Sequence, residues 1–443
     1  MLLKYTVSNF KSIGRTIEFS MFPLEGTSDD RFLSEITTVT GVWKILKRGA
    51  FFGPNASGKT SFIDSLAYAK EYITKGPRNS NVKKVDQFKG KIADLEGVTT
   101  FQFLIYINSE VYNYGFSLDR SHVHEEWLDV LDKSGSFDHL FDRKTGDDLS
   151  SNIEIFNSYA KEGTDERDLA ELLTKTMKEE QCDQLFLYKL YENGSEHARL
   201  IYSWFTRLKI IYPNTRLHSL PLRITKEDNF LDFLSAKLNL LGTGIRKVSE
   251  SDNKIDLSDF EEKYNISNDI VHEMERLQNG LITAEGKLYV FREDADHRIQ
   301  LFQIRFEHLL NHANISFDID DESDGTQRLL DLLPVIFRME NGSDDIYIID
   351  ELDRSLHTKL TKHLVNLAAA TSDNSQFIFT THDVNLLNLK DFRSEEIWFF
   401  EKTSNGETRL KPFSDFDVSA DKDILKGYLA GRFGAVPVIR EGA

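Results

Sequence analysis

The eight residues Gly53-Pro54-Asn55-Ala56-Ser57-Gly58-Lys59-Thr60 limit what this chain can become more than any other stretch of it. They satisfy the pattern G-x-x-x-x-G-K-[ST] without a mismatch, and both flanks suit it. Gly49-Ala50-Phe51-Phe52 reads as the end of a buried strand, while Phe62, Ile63, Leu66, Ala69 and Ile73 recur at helical spacing. A loop between a buried strand and a helix wraps its backbone N–H groups around a phosphate chain, and the helix N-terminus adds partial positive charge. Gly53, Asn55, Ala56, Ser57, Gly58 and Ser61 are therefore expected around the phosphates. Lys59 is expected to reach the β- and γ-phosphates as a catalytic cation, and the Thr60 hydroxyl to complete a Mg²⁺ shell.

Two later stretches answer this loop. Asp345-Ile346-Tyr347-Ile348-Ile349-Asp350-Glu351 is a short apolar strand ending in two carboxylates. At such a strand end Asp350 is a metal ligand opposite Thr60, and Glu351 is free to orient and partly deprotonate an attacking water. Gln376 to Asp383 is another buried strand, and His382 at its end falls beside the same phosphates, able to donate to the γ-phosphate or to the water. Alone, a strand-end acid or histidine is commonly structural; the order after a complete phosphate loop carries the functional reading.

Ser323-Asp324-Gly325-Thr326 lies 27 residues before Asp350 and opens a helix whose apolar face is Leu329, Leu332, Leu333 and Ile336, with Pro334 inside it as an expected kink. A Ser and a Gly at a helix start make a second anion cradle; the ordinary reading is a helix cap by Ser323 or Asp324. Two cradles fit one ATP if the second comes from a neighbouring molecule, so Ser323, Gly325 and Thr326 are expected on the nucleotide of a partner, with ATP joining two copies head to tail.

At 443 residues two or three domains or sub-domains are expected. Residues 1–155 read as the N-terminal half of a nucleotide-binding head: a hairpin with Tyr5, Val7, Phe10, Ile17 and Phe19, a polar surface loop over 27–36, and aromatic-rich strands at 100–106 and 111–116. Residues 156–300 read as a mostly helical insertion, with an acidic stretch from Glu250 to Glu262 and a hairpin from Ile282 to Phe291. Residues 301–443 read as the C-terminal half. The expected fold class is α/β, a P-loop nucleotide-binding head with a mixed β-sheet lobe and a mostly helical insertion. Cys182 is the single cysteine, which excludes intrachain disulfides and Cys-cluster metal sites and fits a reducing, cytoplasmic compartment. With no run of eighteen apolar residues and a strand-like start, neither a membrane span nor a signal peptide is expected. A net charge of −18 argues against a surface that coats nucleic acid. It leaves open a local basic groove at Lys83, Lys84, Lys89 and Lys91, or at Arg207, Lys209, Arg216 and Arg223; the ordinary reading of both is a solvated face.

The order of phosphate loop, S-x-G-T element, I-I-D-E, S-L-H turn and T-T-H-D resembles the ABC-class ATPase heads of the SMC and OLD groups. The start Tyr5 to Ser12, Glu322 to Thr326, Asp350 to Asp353 with Ser355-Leu356-His357, and the tail Gly431 to Pro437 more narrowly resemble prokaryotic ATPases of phage-defence modules: the AbiL first component, RloA-like proteins and AriA of the PARIS system. The resemblance implies a head that dimerises around ATP and Mg²⁺, senses a phage-derived trigger and controls a separately encoded effector, an RloB-like or Toprim nuclease among them. It also implies that Ser355 and His357 lie on a turn crossing the dimer interface. The Leu-Ser-Gly-Gly-Gln of transporters is absent, and about 60 residues follow His382, too few for the C-terminal nuclease domain of OLD proteins. The Mg²⁺-contacting glutamine of such heads has two candidates, Gln87 and Gln102. Two rivals stand beside this reading. A DNA-repair ATPase that clamps DNA would favour long heptad arms, and none is visible. A self-contained nuclease would need an acidic cluster, for which Asp318, Asp320, Asp321 and Glu322 are the candidates; a charged helix start is the simpler reading.

Overall fold

The computed structural model describes residues 1–24, 32–77, 83–90, 97–177, 182–215, 229–371, 374–416 and 424–436. Lys91, Arg216, Arg223 and Pro437 lie outside them. The chain divides into two compact units: Met1–Ile211, Gly342–Leu352 and Ala369–Ala443 form the first, and Tyr212–Asn341 with Asp353–Ala368 the second.

The first unit opens with β1 (Leu2–Ser8), β2 (Ile17–Ser20), β3 (Leu33–Thr38), β4 (Gly41–Leu46), β5 (Arg48–Phe52) and helix α1 (Lys59–Lys75). It continues with β6 (Thr99–Ile107), β7 (Glu110–Leu118), β8 (Val123–Leu131), β9 (Phe137–Thr145), β10 (Ser151–Ile155), helices α2 (Asp165–Met177), α3 (Phe186–Glu192) and α4 (Glu196–Arg207), and β11 (Leu208–Ile211). The second unit carries α5 (Phe230–Leu240), β12 (Ile245–Asp256), α6 (Leu257–Tyr264), α7 (Asn268–Leu277), β13 (Asn279–Ala284), β14 (Lys287–Glu293), β15 (Ile299–Leu310), β16 (Ala313–Phe317) and α8 (Asp324–Glu340). The chain re-enters the first unit for β17 (Ile346–Ile349), contributes most of α9 (Thr358–Thr371) to the second, and finishes the first with β18 (Gln376–Thr380), β19 (Ile397–Lys402), β20 (Thr408–Pro412) and α10 (Ile424–Leu429).

The central sheet of the first unit runs β11-β17-β18-β5-β19-β20, parallel throughout except for antiparallel β20. Strands β5, β17 and β18 are buried at every position, which is why they read as unbroken apolar runs rather than alternating ones. A second, fully antiparallel sheet runs β10-β9-β8-β7-β6-β1-β2. Aromatic side chains fill the space between: Phe62 of α1 meets Tyr5 and Phe51, each at 5.4 Å between ring centroids, and Phe400 at 5.6 Å. On β8, buried Glu126 accepts from the Phe186 and Leu187 N–H groups at 2.6 and 3.0 Å, so a strand carboxylate takes up free donors at the start of α3.

In the second unit β12-β15-β14-β13 form a sheet with β16 on β15. Phe260 and Met274, from α6 and α7, join Ile282, Tyr289, Phe291, Ile299 and Leu301 in one apolar cluster. Helix α8 runs from Asp324 to Glu340 with Pro334 inside it; Phe230 and Phe233 of α5 pack on its Phe337, each at 5.0 Å.

Several expectations are corrected. The boundaries at 155/156 and 300/301 are not those of the compact units: α2 to α4 and β11 belong to the first, β15 and α8 to the second. Among the described residues, the stretch 156–300 carries helices α2 to α7 together with β11, and after residue 244 also β12, β13, β14 and the start of β15. The acidic stretch from 250 hides the second half of β12, which resumes pairing with β15 at Lys254, Ile255 and Asp256 after a register shift beyond Glu250 and shows no alternating apolar face. Part of the expected loop at 27–36 is β3, paired with β4.

Candidate functional site

Because β5, β17 and β18 are parallel neighbours, their C-terminal ends open on one edge of the central sheet, where ligand crevices form in such sheets. The register aligns Ile349 with Phe379 and Phe51 with Thr380. Residues 55–61, Asp350, Glu351 and His382, which follow these strand ends, line a cavity of about 560 Å³ together with Ser12 and Lys402. Residues separated by more than 300 positions in sequence are thereby brought together.

Around the loop, Lys59 is buried, and its Nζ donates to the carbonyls of Gly53 at 2.7 Å and Pro54 at 3.2 Å. Thr60 Oγ1 donates to Asp350 Oδ2 at 3.1 Å, and Thr380 Oγ1 to Asp350 Oδ1 at 2.7 Å. Asp350 N–H donates to the Ile211 carbonyl at 2.8 Å, anchoring the strand end on β11. Glu351 occupies the left-handed region at φ 49°, its N–H donating to Thr380 Oγ1 at 2.8 Å. That turn separates the two carboxylates: Asp350 is buried against Thr60, while Glu351, 40% exposed at its side chain, reaches within 3.9 Å of His382 Nε2. Non-glycine residues in this region of φ are uncommon and cluster at functional sites.

The loop is shaped for a polyanion. Helix α1 has no acidic residue in its first turn and no side-chain cap, so its leading N–H groups are left for a ligand. A Cβ at Gly58, which sits at φ 109°, would lie 2.0 Å from Thr408 Oγ1, and one at Gly53 would lie 2.5 Å from the Phe400 carbonyl. Thr408 Oγ1 donates to the Ser57 carbonyl at 3.1 Å and sits 2.8 Å from Ser12 Oγ. Lys402 approaches from the end of β19, 3.4 Å from Thr408 Oγ1, and burial lowers the pKa of its ammonium. Lys59, Lys402 and the Thr60–Asp350 pair line the same cavity, a donor set that fits a triphosphate with Mg²⁺.

Ser12 and Lys402 were not legible as site residues. The charged position after an apolar strand at Lys402 was the available signal, and it is too common to single out. Gln102, bonded to Asn113 Oδ1 at 2.8 Å, and Gln87, donating to the Gly97 carbonyl, do not line the cavity.

Ser323, Gly325 and Thr326 lie in the second unit at the start of α8. Ser323 caps the helix: its Oγ accepts from Thr326 N at 3.3 Å and lies 3.0 Å from Thr326 Oγ1. A Cβ at Gly325 would lie 2.9 Å from the Ser355 carbonyl, so the turn containing Ser355 closes on the helix start. Ser355 itself has φ 59°. The acidic run is occupied locally, Asp318 by Gln303 at 2.7 Å and by Arg305, and Glu322 by His308 at 2.7 Å. Of the basic clusters, Lys83, Lys84 and Lys89 are exposed, Arg207 pairs with Asp344, and Lys209 donates to the Thr206 carbonyl. The tail packs on the central sheet, with Phe433 stacked on Phe399 at 5.7 Å.

A family model described as "AAA domain, putative AbiEii toxin, Type IV TA system" matches residues 50–388. The Retron Vc95 probable ATPase of Vibrio cholerae serotype O1 biovar El Tor is 23% identical over 384 residues, covering 82% of this chain and 70% of that protein. Similar solved structures include the SMC head domain from Thermotoga maritima, at 14% identity and TM-score 0.38 over 93% of this chain and 98% of that one. Another is the Smc head domain with an extended coiled coil bound to the C-terminal domain of ScpA, derived from Pyrococcus furiosus, at 11% identity and TM-score 0.39 over 97% and 99%.

Proposed function

The chain belongs to the family described as AAA domain, putative AbiEii toxin, Type IV TA system, and from that premise we propose that it binds and slowly hydrolyses ATP as the sensor or scaffold subunit of a bacterial anti-phage system. Two copies join head to tail around the nucleotide and control a separately encoded effector. The observation that carries the nucleotide reading is the meeting of three parallel strand ends at one cavity, each delivering a different piece of phosphate chemistry. The defence reading draws on the family description and on the similarity to a retron's probable ATPase.

The loop N–H groups and Lys59 hold the phosphate tail, exchanging the Gly53 and Pro54 carbonyls for phosphate oxygens. Thr60 and Asp350 would hold Mg²⁺, which when bound neutralises charge on the phosphate oxygens. Glu351 orients the attacking water and accepts its proton, and His382 donates a hydrogen bond to the γ-phosphate or to that water. Ser323, Gly325 and Thr326 of one copy cap the triphosphate held by the other, with the Ser355 turn beside them.

Glu351→Gln keeps the size and hydrogen-bonding reach of the side chain and removes the base. The expected outcome is intact ATP binding, turnover reduced by at least ~100-fold, and a dimer trapped by ATP. Light scattering coupled to size-exclusion chromatography checks it; a variant that binds ATP and stays monomeric sinks the head-to-tail model. Steeply salt-dependent DNA binding that requires ATP would favour a DNA-clamping ATPase instead.

A further inference from the structure

We propose that Asp119, His122 and His124 form a binding site for a divalent first-row transition-metal ion, with Zn²⁺ as the reference ion, on the β7–β8 hairpin. The site shares no residue with the phosphate cavity and enters no step of the ATPase reaction.

The hairpin closes through the pairing of Leu118 with Val123, and Asp119 N–H donates to the His122 carbonyl at 3.1 Å across the turn. His122 and His124 flank Val123, and positions two apart in extended chain project to one side. Val123 N–H donates to the Cys182 carbonyl at 2.8 Å, which fixes the backbone between the two histidines. Their rings lie 4.0 Å apart between centroids with planes tilted by 34°. Asp119 folds back over both: its Oδ2 is 3.0 Å from His124 Nε2, and its Oδ1 is 3.5 Å from His122 Nδ1. One ligand atom from each of the three residues lies within 4.8 Å of the others. Bonds of about 2.0–2.2 Å in tetrahedral geometry put neighbouring ligand atoms roughly 3.3 Å apart, so small rotations suffice to admit an ion.

The surrounding groups sort the two carboxylate oxygens. Oδ1 accepts from Ser121 N–H at 2.6 Å, Ser121 Oγ at 2.7 Å and His122 N–H at 2.9 Å. Oδ2 meets His124 Nε2 at 3.0 Å, where an ion would take the place of the shared proton, and the carboxylate's orientation is held by that outer shell. The three side chains are 13–31% exposed, partly sheltered and still reachable from solvent. Two imidazoles and one carboxylate suit Zn²⁺, Co²⁺ or Ni²⁺, whereas Mg²⁺ and Ca²⁺ take oxygen ligands. Three protein ligands leave a fourth position for water.

The test uses the full chain, stripped of metal with a chelator, desalted, and free of nucleotide and Mg²⁺. Zn²⁺ is titrated against a chromophoric competing chelator for the wild type, the double variant His122→Ala/His124→Ala, and Asp119→Asn. The wild type is expected to bind one equivalent more than the double variant, since other Zn²⁺-accepting groups are common to both. Asp119→Asn is expected to weaken that equivalent by more than the ~10–100-fold typical of losing an outer-shell partner. Its amide oxygen can still accept the three turn hydrogen bonds, so it serves if the double variant does not fold. Co²⁺ loading gives a second readout, a visible absorption band of a four-coordinate site in the wild type that Asp119→Asn lacks. Indistinguishable Zn²⁺ binding by wild type and folded variants, or no such band in the Co²⁺-loaded wild type, overturns the proposal.

Discussion

Lys402 shows what a single side chain adds to the cavity. It enters from the end of β19 beside Thr408, the residue that fills the space where a side chain on Gly58 would stand. A charge-assisted hydrogen bond from such a cation to a phosphate contributes about 1.5–3 kcal/mol. Lys402→Met, which keeps the aliphatic stem, is therefore expected to weaken ATP binding by roughly 10- to 100-fold while leaving the unfolding midpoint nearly unchanged. Calorimetric titration with ATP and Mg²⁺ in the Glu351→Gln background measures it, and an unaltered affinity would remove Lys402 from the site. Lys59, Thr60, Asp350 and Glu351 were legible as candidates because each lies in a short local pattern whose flanks announce strand and helix. Lys402 and Ser12 were not, because their place at the cavity depends on which strands neighbour β5, and no local pattern encodes that.

At the scale of elements, β5 is held to the start of β19 by a fully buried ion pair. Arg48 Nε meets Glu396 Oε1 at 2.7 Å and its Nη2 meets Oε2 at 2.9 Å, with the guanidinium 3.9 Å from the Phe32 ring and 4.5 Å from the Phe392 ring. Burial pushes the Glu396 carboxyl above its ordinary pKa, and Arg48 opposes that shift. Removing one partner leaves a desolvated charge behind, so Arg48→Met is expected to cost about 3–5 kcal/mol of stability. Urea denaturation checks this; a loss under ~1 kcal/mol would mean that the carboxyl is protonated without penalty once alone. The apolar strands β5, β17 and β18 could be read from sequence because burial on both faces leaves an unbroken hydrophobic run. By contrast β12 carries Ser251, Asp252, Asn253 and Lys254 in its second half, where its pairing with β15 is confined to Lys254, Ile255 and Asp256, and β20 is a short edge strand bounded by Thr408 and Pro412. Such strands are specified by their partner's backbone more than by their own side chains.

At the scale of the whole molecule, the nucleotide site depends on residues from both ends of the first unit's sequence, so ATP should act as a ligand of the assembled fold and not of any short segment. With Mg²⁺ and ATP at about 100 times the dissociation constant, the folded state gains roughly 2.7 kcal/mol. Thermal unfolding of Glu351→Gln is expected to shift upward accordingly and to lose most of the shift on addition of a chelator. No change at saturating nucleotide would contradict nucleotide binding at this cavity. The same dependence reaches into biosynthesis. Strand β5 is flanked by β18 and β19, which follow it by more than 300 residues. While a ribosome is still translating that interval, the emerging Gly49-Ala50-Phe51-Phe52 has no sheet to enter and presents two aromatic rings and a bare peptide edge to the cytosol. Nascent chains halted ahead of residue 376 should accordingly recruit holdase chaperones at this segment, and release from them should coincide with synthesis of the last three strands.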